Sequence, residues 1–221
     1  MQQNQKECQQ CGTCCTSGGP ALHKEDKHLV VNGELPLAQL ITIRKGELAR
    51  NPLTNSLKPI KKELVKISGV GREWNCYYLD SESKRCTVYD TRPQACRVLK
   101  CWDTTEIEKL FEKDTLTRLD LLDSSNKIRK CIEEHEKAFP CPDLIGLREF
   151  GPQEKEAEVE ELINQEIVFR TKVVSQFELS LGEELFYFGR PVFHLLVSIG
   201  VRVDEVDQRL IVSWPAAKAA R

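Results

Sequence analysis

Four cysteines within eight residues form the part of this chain that is best suited to chemistry. They follow the pattern Cys8-x2-Cys11-x2-Cys14-Cys15, and Gly12 lies inside the run. Thiolates three residues apart on a tight loop can reach one ion, at about 2.3 Å for zinc. Glycine permits the sharp backbone turn that such a loop needs. The segment 8–20 is therefore predicted to be a loop that binds metal through sulfur.

A second group of cysteines lies further along the chain, as Cys76-x9-Cys86-x9-Cys96-x4-Cys101. The runs 74–79 and 86–89 are predicted strands joined by a polar turn, so Cys76 and Cys86 are expected to meet across a hairpin. Cys96 and Cys101 follow Pro93, which favours a short helix. We therefore predict eight metal ligands in all: Cys8, Cys11, Cys14, Cys15, Cys76, Cys86, Cys96 and Cys101.

Two further cysteines are weaker candidates. Cys131 lies on an apolar helical stripe with Ile128 and Ile132, which favours a packing role, although His135 one turn later leaves a metal-binding pair open. Cys141 is equally consistent with a ligand and a bystander. His23 and His28 lie among charged residues and are predicted to be solvated.

The spacing bears on the identity of the metal. The pattern C-x2-C-x2-C resembles the first three ligands of bacterial ferredoxins, whereas four thiolates in tetrahedral geometry suit zinc. The adjacent pair Cys14–Cys15 favours a polynuclear cluster, because neighbouring side chains tend to diverge from a single ion. Iron–sulfur is thus slightly preferred over zinc, and both stay open. Arg92 and Arg97 flank Cys96 and are predicted to donate hydrogen bonds to ligand sulfurs or nearby carbonyls.

Composition restricts the class of protein. The chain has 221 residues, 32 basic and 34 acidic side chains and a net charge of -2, which argues against a nucleic-acid or acidic-membrane binder. We expect no membrane span and no secretory leader, and hence a cytoplasmic protein. In that reducing compartment ten cysteines point to metal rather than to disulfides. The expected partner is a metal ion, and a protein partner stays open.

The remaining pattern predicts an α+β fold in which helices wrap a small, irregular cysteine-rich core with short strands. Strands are expected at 40–43 and 63–67, and helices at 105–123, 125–139, 154–177 and 191–199. A terminal hairpin is predicted within 201–214, turning near 204–207. A boundary near Gly151-Pro152 divides a metal-binding domain, 1–150, from a mainly helical C-terminal extension, 151–221.

These motifs carry a family resemblance. The run from Cys8 to Cys15, then Cys76, then the segment 86–97 with Tyr89, Arg92-Pro93 and the pair Cys96-Arg97, resembles the YkgJ-type cysteine-cluster family of zinc- or iron-chelating domains. The resemblance covers residues 8–101 and implies a cysteine-ligated zinc or iron site in a bacterial or related cytoplasmic protein. A similar domain forms part of flagellin lysine methylases, so a metal-dependent methyl-transfer enzyme is an alternative. A zinc-stapled interaction module that uses helices within 154–199 is another. The pattern indicates no catalytic residues.

Overall fold

A computed structural model describes residues 5–51, 56–152 and 155–215 of the chain. The α+β prediction is confirmed. Within the described residues there are eight α-helices, which are α1 (Lys27–Val31), α2 (Gln94–Val98), α3 (Thr105–Leu110), α4 (Ile128–Ala138), α5 (Leu144–Phe150), α6 (Glu156–Phe177), α7 (Leu181–Phe188) and α8 (Val192–Ser198). The strands of the same ranges are β1 (Leu40–Ile43), β2 (Leu48–Arg50), β3 (Leu57–Pro59), β4 (Leu64–Ile67), β5 (Gly69–Val70), β6 (Asn75–Cys76), β7 (Arg202–Val206) and β8 (Arg209–Ser213).

The strands form antiparallel pairs, and the pair β1–β4 confirms two predicted strands. Leu40 lies opposite Ile67 and Ile41 lies opposite Lys66. Because side chains alternate across a strand, Leu40 and Ile67 share one face, and Ile41 and Lys66 share the other. The first face packs against α7, where the Thr42 hydroxyl donates a hydrogen bond of 2.5 Å to the carbonyl of Phe186.

Two hydrophobic clusters hold these elements together. The first joins β1 and β4 to α4 and α7, and its fully buried members include Leu40, Val65 and Phe186. The second joins α5, α6 and α8 to the terminal hairpin, through residues such as Ile163 and Leu195. Residues from the C-terminal third therefore contribute to both clusters. The domain boundary near residue 151 stays a prediction.

A buried ionic network lies beside these clusters. Glu136 accepts hydrogen bonds from Arg44 at 2.8 Å and from Arg118 at 2.5 Å. Glu166 accepts one from Arg170 at 3.0 Å and lies 3.0 Å from Nε2 of His135. Buried charges are costly unless they are paired, and carboxylates from two helices pair the arginines of this network. It fixes α4 and α6 to the loop after β1.

Helix α7 was absent from the sequence-based prediction. Its start is a capping box: the Ser180 hydroxyl accepts from the amide of Glu183, and the Glu183 carboxylate accepts from the Ser180 amide at 2.9 Å. Its end is Gly189, with φ of 67°. The Ser-x-x-Glu spacing was a usable signal. Helix α5 was missed as well, although Asp143 caps it by accepting from the amide of Gly146.

The predicted helix over 105–123 is wrong beyond Leu110. Helix α3 ends there, and Glu112 and Asp114 then adopt positive φ angles of 57° and 48°. The chain turns because Leu116 joins a backbone pairing: its amide donates to Leu22 and its carbonyl accepts from Val65. Leu116 is consequently buried, so a tertiary pairing overrides the helical periodicity.

The hairpin predicted from 74–79 and 86–89 is much shorter than expected. Only Asn75–Cys76 form a strand, and they pair with Gly69–Val70 instead. A single bridge between Leu79 and Cys86 remains of the expected pairing, closed by the hydrogen bond from the Asp80 amide to the Arg85 carbonyl at 2.9 Å.

The predictions for the C-terminal part are confirmed in outline. Helices α4, α6 and α8 lie where helical periodicity placed them, and β7 and β8 form the terminal hairpin. The hairpin turns at Asp207 and Gln208, both with positive φ, slightly later than expected. Among the described residues, none of the helices combines the length and the apolar character needed to cross a bilayer.

Candidate metal centre

The N-terminal cysteine loop is shaped by Gly12. Its carbonyl accepts hydrogen bonds from the amides of Cys15 at 2.8 Å and Thr16 at 3.2 Å, and Cys15–Ser17 form one 3-10 turn. Gly12 has φ of 74°, and a Cβ there would lie 2.3 Å from the carbonyl oxygen of Lys84. Only glycine can therefore occupy this position, and the loop lies directly on the turn that precedes Cys86.

Cys76 is the most deeply placed of the candidate ligands. It is 6% exposed, ends strand β6 and lies opposite Gly69. A Cβ on Gly69 would lie 2.3 Å from the indole ring of Trp74, so the indole covers the backbone of β5 at this point. These contacts fix the backbone from which the Cys76 thiol projects.

Cys96 is positioned by helix α2, whose start is held from another segment. One carboxylate oxygen of the fully buried Asp26 accepts from the amide of Gln94 at 2.7 Å, and the other accepts from the amide of His23 at 2.9 Å. Glu25 adds an ion pair with Arg97 at 2.5 Å. The segment 23–26 thereby attaches α2, and Cys96 with it, to the rest of the fold.

Five thiols from these segments line the same cavity of about 860 Å³. We call them the thiol cluster, and the cavity the thiol cleft. The sulfurs of Cys14 and Cys15 are 3.9 Å apart, and Cys76 lies close enough to Cys15 to raise the pKa of its thiol. Cys86 and Cys96 are close enough to the other three thiols for electrostatic interactions among them to shift their pKa values. The cluster comprises Cys14, Cys15, Cys76, Cys86 and Cys96.

The three remaining predicted ligands lie outside the lining of the cleft. The Cys8 thiol lies near Tyr89 and raises the pKa of its hydroxyl, and Cys11 contacts the Thr13 hydroxyl at 3.3 Å. Cys101 accepts from Nε2 of Gln5 at 3.5 Å. All three are exposed. Within residues 5–51, 56–152 and 155–215, no group of three or more His, Cys, Asp or Glu side chains has its donor atoms in a metal-binding arrangement.

Cys131 and Cys141 lie in other parts of the molecule. Cys131 packs against the first hydrophobic cluster and Cys141 against the second. A Cβ on Gly46 would lie 3.6 Å from the Cys141 sulfur, which places Cys141 beside the loop after β1. Neither thiol lines the thiol cleft.

The electrostatics of the thiol cluster keep most of its members protonated. The hydrogen bond with Cys15 and burial raise the pKa of Cys14, and burial together with Cys14 and Cys15 raises the pKa of Cys96 to about 12. The neighbouring Cys15 thiol instead lowers the pKa of Cys76. Thiolates in such a group repel one another, and a bound cation would remove that repulsion.

The two arginines predicted to assist the site have different surroundings. The Arg92 guanidinium lines the thiol cleft and stacks on the Tyr89 ring at 3.5 Å, and its positive charge favours the thiolates of Cys86 and Cys96. Nε of Arg92 is buried and lacks a hydrogen-bond partner among the described residues. Arg97 instead donates to the carbonyl of Arg92 at 3.0 Å and pairs with Glu25.

Sequence reasoning missed three residues of this region. His23 was predicted to be solvated, but it is 4% exposed, and its Nδ1 lies 2.7 Å from the carbonyl of Lys113. Asp26 was treated as a surface charge, although it anchors α2. Lys66 lines the cleft, and its place in an apolar strand was the available signal.

The family comparison covers the segments that carry these thiols. Residues 7–115, about half of the chain, match the CxxCxxCC family model, which is described as a "putative zinc- or iron-chelating domain". Residues 7–115 form a CxxCxxCC domain. This confirms the resemblance to the YkgJ-type family, and the matched range contains all eight predicted ligands but neither Cys131 nor Cys141. No solved structure matches this chain.

Proposed function

We propose that the protein binds zinc or iron through the thiol cluster. The observation that carries the proposal is the presence of five thiols from four separate segments, namely the N-terminal loop, β6, the bridge after the 80–85 turn and α2, in the lining of a single cleft. Thiolates are the soft ligands that zinc and iron prefer, and Arg92 supplies a positive charge near Cys86 and Cys96. The donor chemistry of the site therefore fits the chelating function of its family.

The spacing of one pair favours a single tetrahedral ion. Four sulfurs at about 2.3 Å from a zinc ion are separated from one another by about 3.8 Å along each tetrahedral edge. The Cys14 and Cys15 sulfurs are 3.9 Å apart, which supports their binding to one ion. We propose Cys76 as the third ligand because its buried thiol lies near Cys15 in the cleft lining, and Cys86 or Cys96 as the fourth.

The proposal includes a local rearrangement on metal binding, since three or more donors do not yet share one coordination point among the described residues. The exposed thiols of Cys8 and Cys11 lie on the N-terminal loop, and we propose that they move toward the cleft when the ion binds. Metal sites of this kind are coupled to folding, because ligands that repel each other converge only when the ion is bound. Metal removal is therefore expected to destabilise the loop.

An iron–sulfur cluster is the second candidate, and the number of thiols favours it. The cluster has five members and Cys8 adds a sixth whose charge is felt by Cys86, whereas one tetrahedral ion requires four ligands. A polynuclear centre, or two neighbouring ions, would use the surplus.

The test is anaerobic purification of the full chain, followed by metal analysis, acid-labile sulfide analysis and visible absorption. One colourless zinc or one iron without sulfide supports the mononuclear centre, and a brown protein with stoichiometric sulfide supports the cluster. Cys76→Ser should lose the metal, and Cys131→Ser, which alters a thiol outside the cleft, should retain it. A wild-type chain without stoichiometric zinc or iron would refute the proposed function.

We place this function in the cytoplasm, since free thiols persist in a reducing compartment. The methyl-transfer alternative requires a binding site for S-adenosylmethionine, and the interaction-module alternative does not. Binding of S-adenosylmethionine, measured by calorimetry, would favour the enzyme, and its absence would remove that alternative.

A further inference from the structure

The thiol cleft is larger than a metal site requires. Its volume of about 860 Å³ lies within the range of small-molecule sites, about 300–1,000 Å³. Beside the thiols it is lined by apolar side chains of β1, β4 and α3, together with Trp74. These include Ile43, Leu64, Ile107, Leu110 and Phe111. Such a wall suits the apolar body of an organic ligand.

Lys66 is placed in this apolar wall by the strand register. It lies opposite Ile41 in the β1–β4 pair, and alternation puts its side chain on the same face as Leu64, which also lines the cleft. The residue is half-buried. In the described part of the chain its ammonium group has neither an ion pair nor a hydrogen bond. A cation in an apolar wall without a direct partner is costly; Glu47 and Cys76 favour its charge from a greater distance, burial and Arg190 oppose it, and a bound anion would offset the cost.

The other charged side chains of the cleft also favour an anionic ligand. Its lining has six basic side chains and two acidic ones, although the chain as a whole carries a net charge of -2. Arg190 is paired with the buried Glu47, and Arg92 stacks on Tyr89. Within the described ranges the other four have no ion pair; they are Arg50, Lys58, Lys61 and Lys66. A concave surface of one charge sign concentrates ligands of the opposite sign.

We propose that the thiol cleft binds a small organic anion, with a carboxylate or phosphate group paired to Lys66 and an apolar body against the wall of β1, β4 and α3. Binding of this anion stands on the cleft alone. Only the consequence that the bound anion lies beside a metal ion rests on the proposed function. The centre would then be a site open to a ligand rather than a closed structural staple.

The experiment uses the full chain, with and without metal, and three probes that share a phenyl ring. Benzoate and phenyl phosphate carry the two possible anionic groups, and benzyl alcohol is the neutral control. Binding is followed by amide chemical shifts in NMR titrations. We expect both anions to bind more tightly than benzyl alcohol, and the tighter of the two identifies the preferred head group. Equal binding of all three probes would overturn the proposal.

Variants then test the role of Lys66. Lys66→Met preserves the apolar stem and should weaken anion binding at least tenfold, and Lys66→Arg should restore it. Lys62→Met, at an exposed position outside the cleft, should bind as the wild type does. The metal content of each variant is measured in parallel. A Lys66→Met protein that loses metal but keeps the anion would overturn the proposal, because Lys66 would then only balance the thiolate charge.

Because the titrations are also run without metal, the two ideas fail separately. A chain that binds the anions through Lys66 but holds neither zinc nor iron would refute the proposed function and support the cleft. A chain that holds metal but binds no probe would support the proposed function and refute anion binding in the cleft.

Discussion

Replacement of Gly12 by alanine tests the shape of the N-terminal cysteine loop. Gly12 has φ of 74°, and its added Cβ would lie 2.3 Å from the carbonyl oxygen of Lys84. Gly33 provides a matched control, since its φ is 80° and an added Cβ there meets nothing within 4 Å. Both substitutions impose the same backbone strain, and only the first also forces the loop away from the turn before Cys86.

The two variants are expected to differ in unfolding free energy, because only Gly12 contacts another segment. Left-handed backbone costs a residue with a Cβ about 1–2 kcal/mol, and this applies to both variants. Displacement of the loop also disrupts the hydrogen bonds from the Cys15 and Thr16 amides to Gly12, at about 0.5–1.5 kcal/mol each. We therefore expect a loss of about 2–5 kcal/mol of unfolding free energy for Gly12→Ala, and about 1–2 kcal/mol for Gly33→Ala.

Metal affinity gives the sharper comparison. Movement of the loop carries Cys14 and Cys15 away from Cys76, so Gly12→Ala should bind zinc at least tenfold more weakly in a competition assay with a chelator. Gly33→Ala should match the wild type. Urea unfolding of the metal-free proteins gives the stability difference independently. If both variants bind zinc equally well, the packing of the loop on the 80–85 turn does not shape the site.

Three further predictions concern His135 and Asp26, which stabilise the fold, and Cys141, which lies outside the cleft. Burial lowers the pKa of His135 to about 4, so the unfolded chain binds the extra proton between pH 6.5 and 4, and the unfolding free energy should fall by about 3 kcal/mol on acidification through that window. His135→Gln should make the unfolding free energy nearly independent of pH between pH 6.5 and 4.5. Glu136 and Glu166, whose pKa values are lowered, stabilise the fold throughout this window and lose that contribution only at lower pH. If denaturant titrations show the same change of unfolding free energy with pH in the variant, the assignment is wrong. Asp26→Ala should cost about 2–4 kcal/mol and speed hydrogen exchange at the Gln94 amide, whereas unchanged exchange there would show that Asp26 does not anchor α2. Cys141→Ser, outside the cleft, should leave metal stoichiometry unchanged, and loss of the metal would place Cys141 among the ligands.

The sequence was most informative where local pattern and tertiary environment agree. Helix α6 buries one continuous face at helical spacing, and β4 alternates between buried and half-buried residues. Strand β1 is buried on both faces and was found as a short β-compatible run. The segment after Leu110 misled prediction, because the backbone pairing of Leu116 with Leu22 and Val65 depends on residues about fifty and ninety positions away. Local periodicity contains no such information.

The candidate site was predictable in its residue types and less so in its grouping. Cysteine spacing identified the candidate thiols. It did not distinguish the exposed Cys11 and Cys101 from Cys76, which is buried. The anchoring role of Asp26 and the cleft-facing position of Lys66 depend on how distant segments pack. Lys66 has no sequence signal beyond its place in an apolar strand, and Asp26, which lies in a run of charged residues, has none.

The central claim is that thiols from separate segments bind one metal, and X-ray absorption at the metal edge of the loaded protein tests it most directly. We expect a first shell of sulfur at about 2.3 Å, with the sulfur contribution reduced in Cys76→Ser and unchanged in Cys131→Ser. A first shell dominated by nitrogen or oxygen, or one that the Cys76 substitution leaves unaltered, would contradict it.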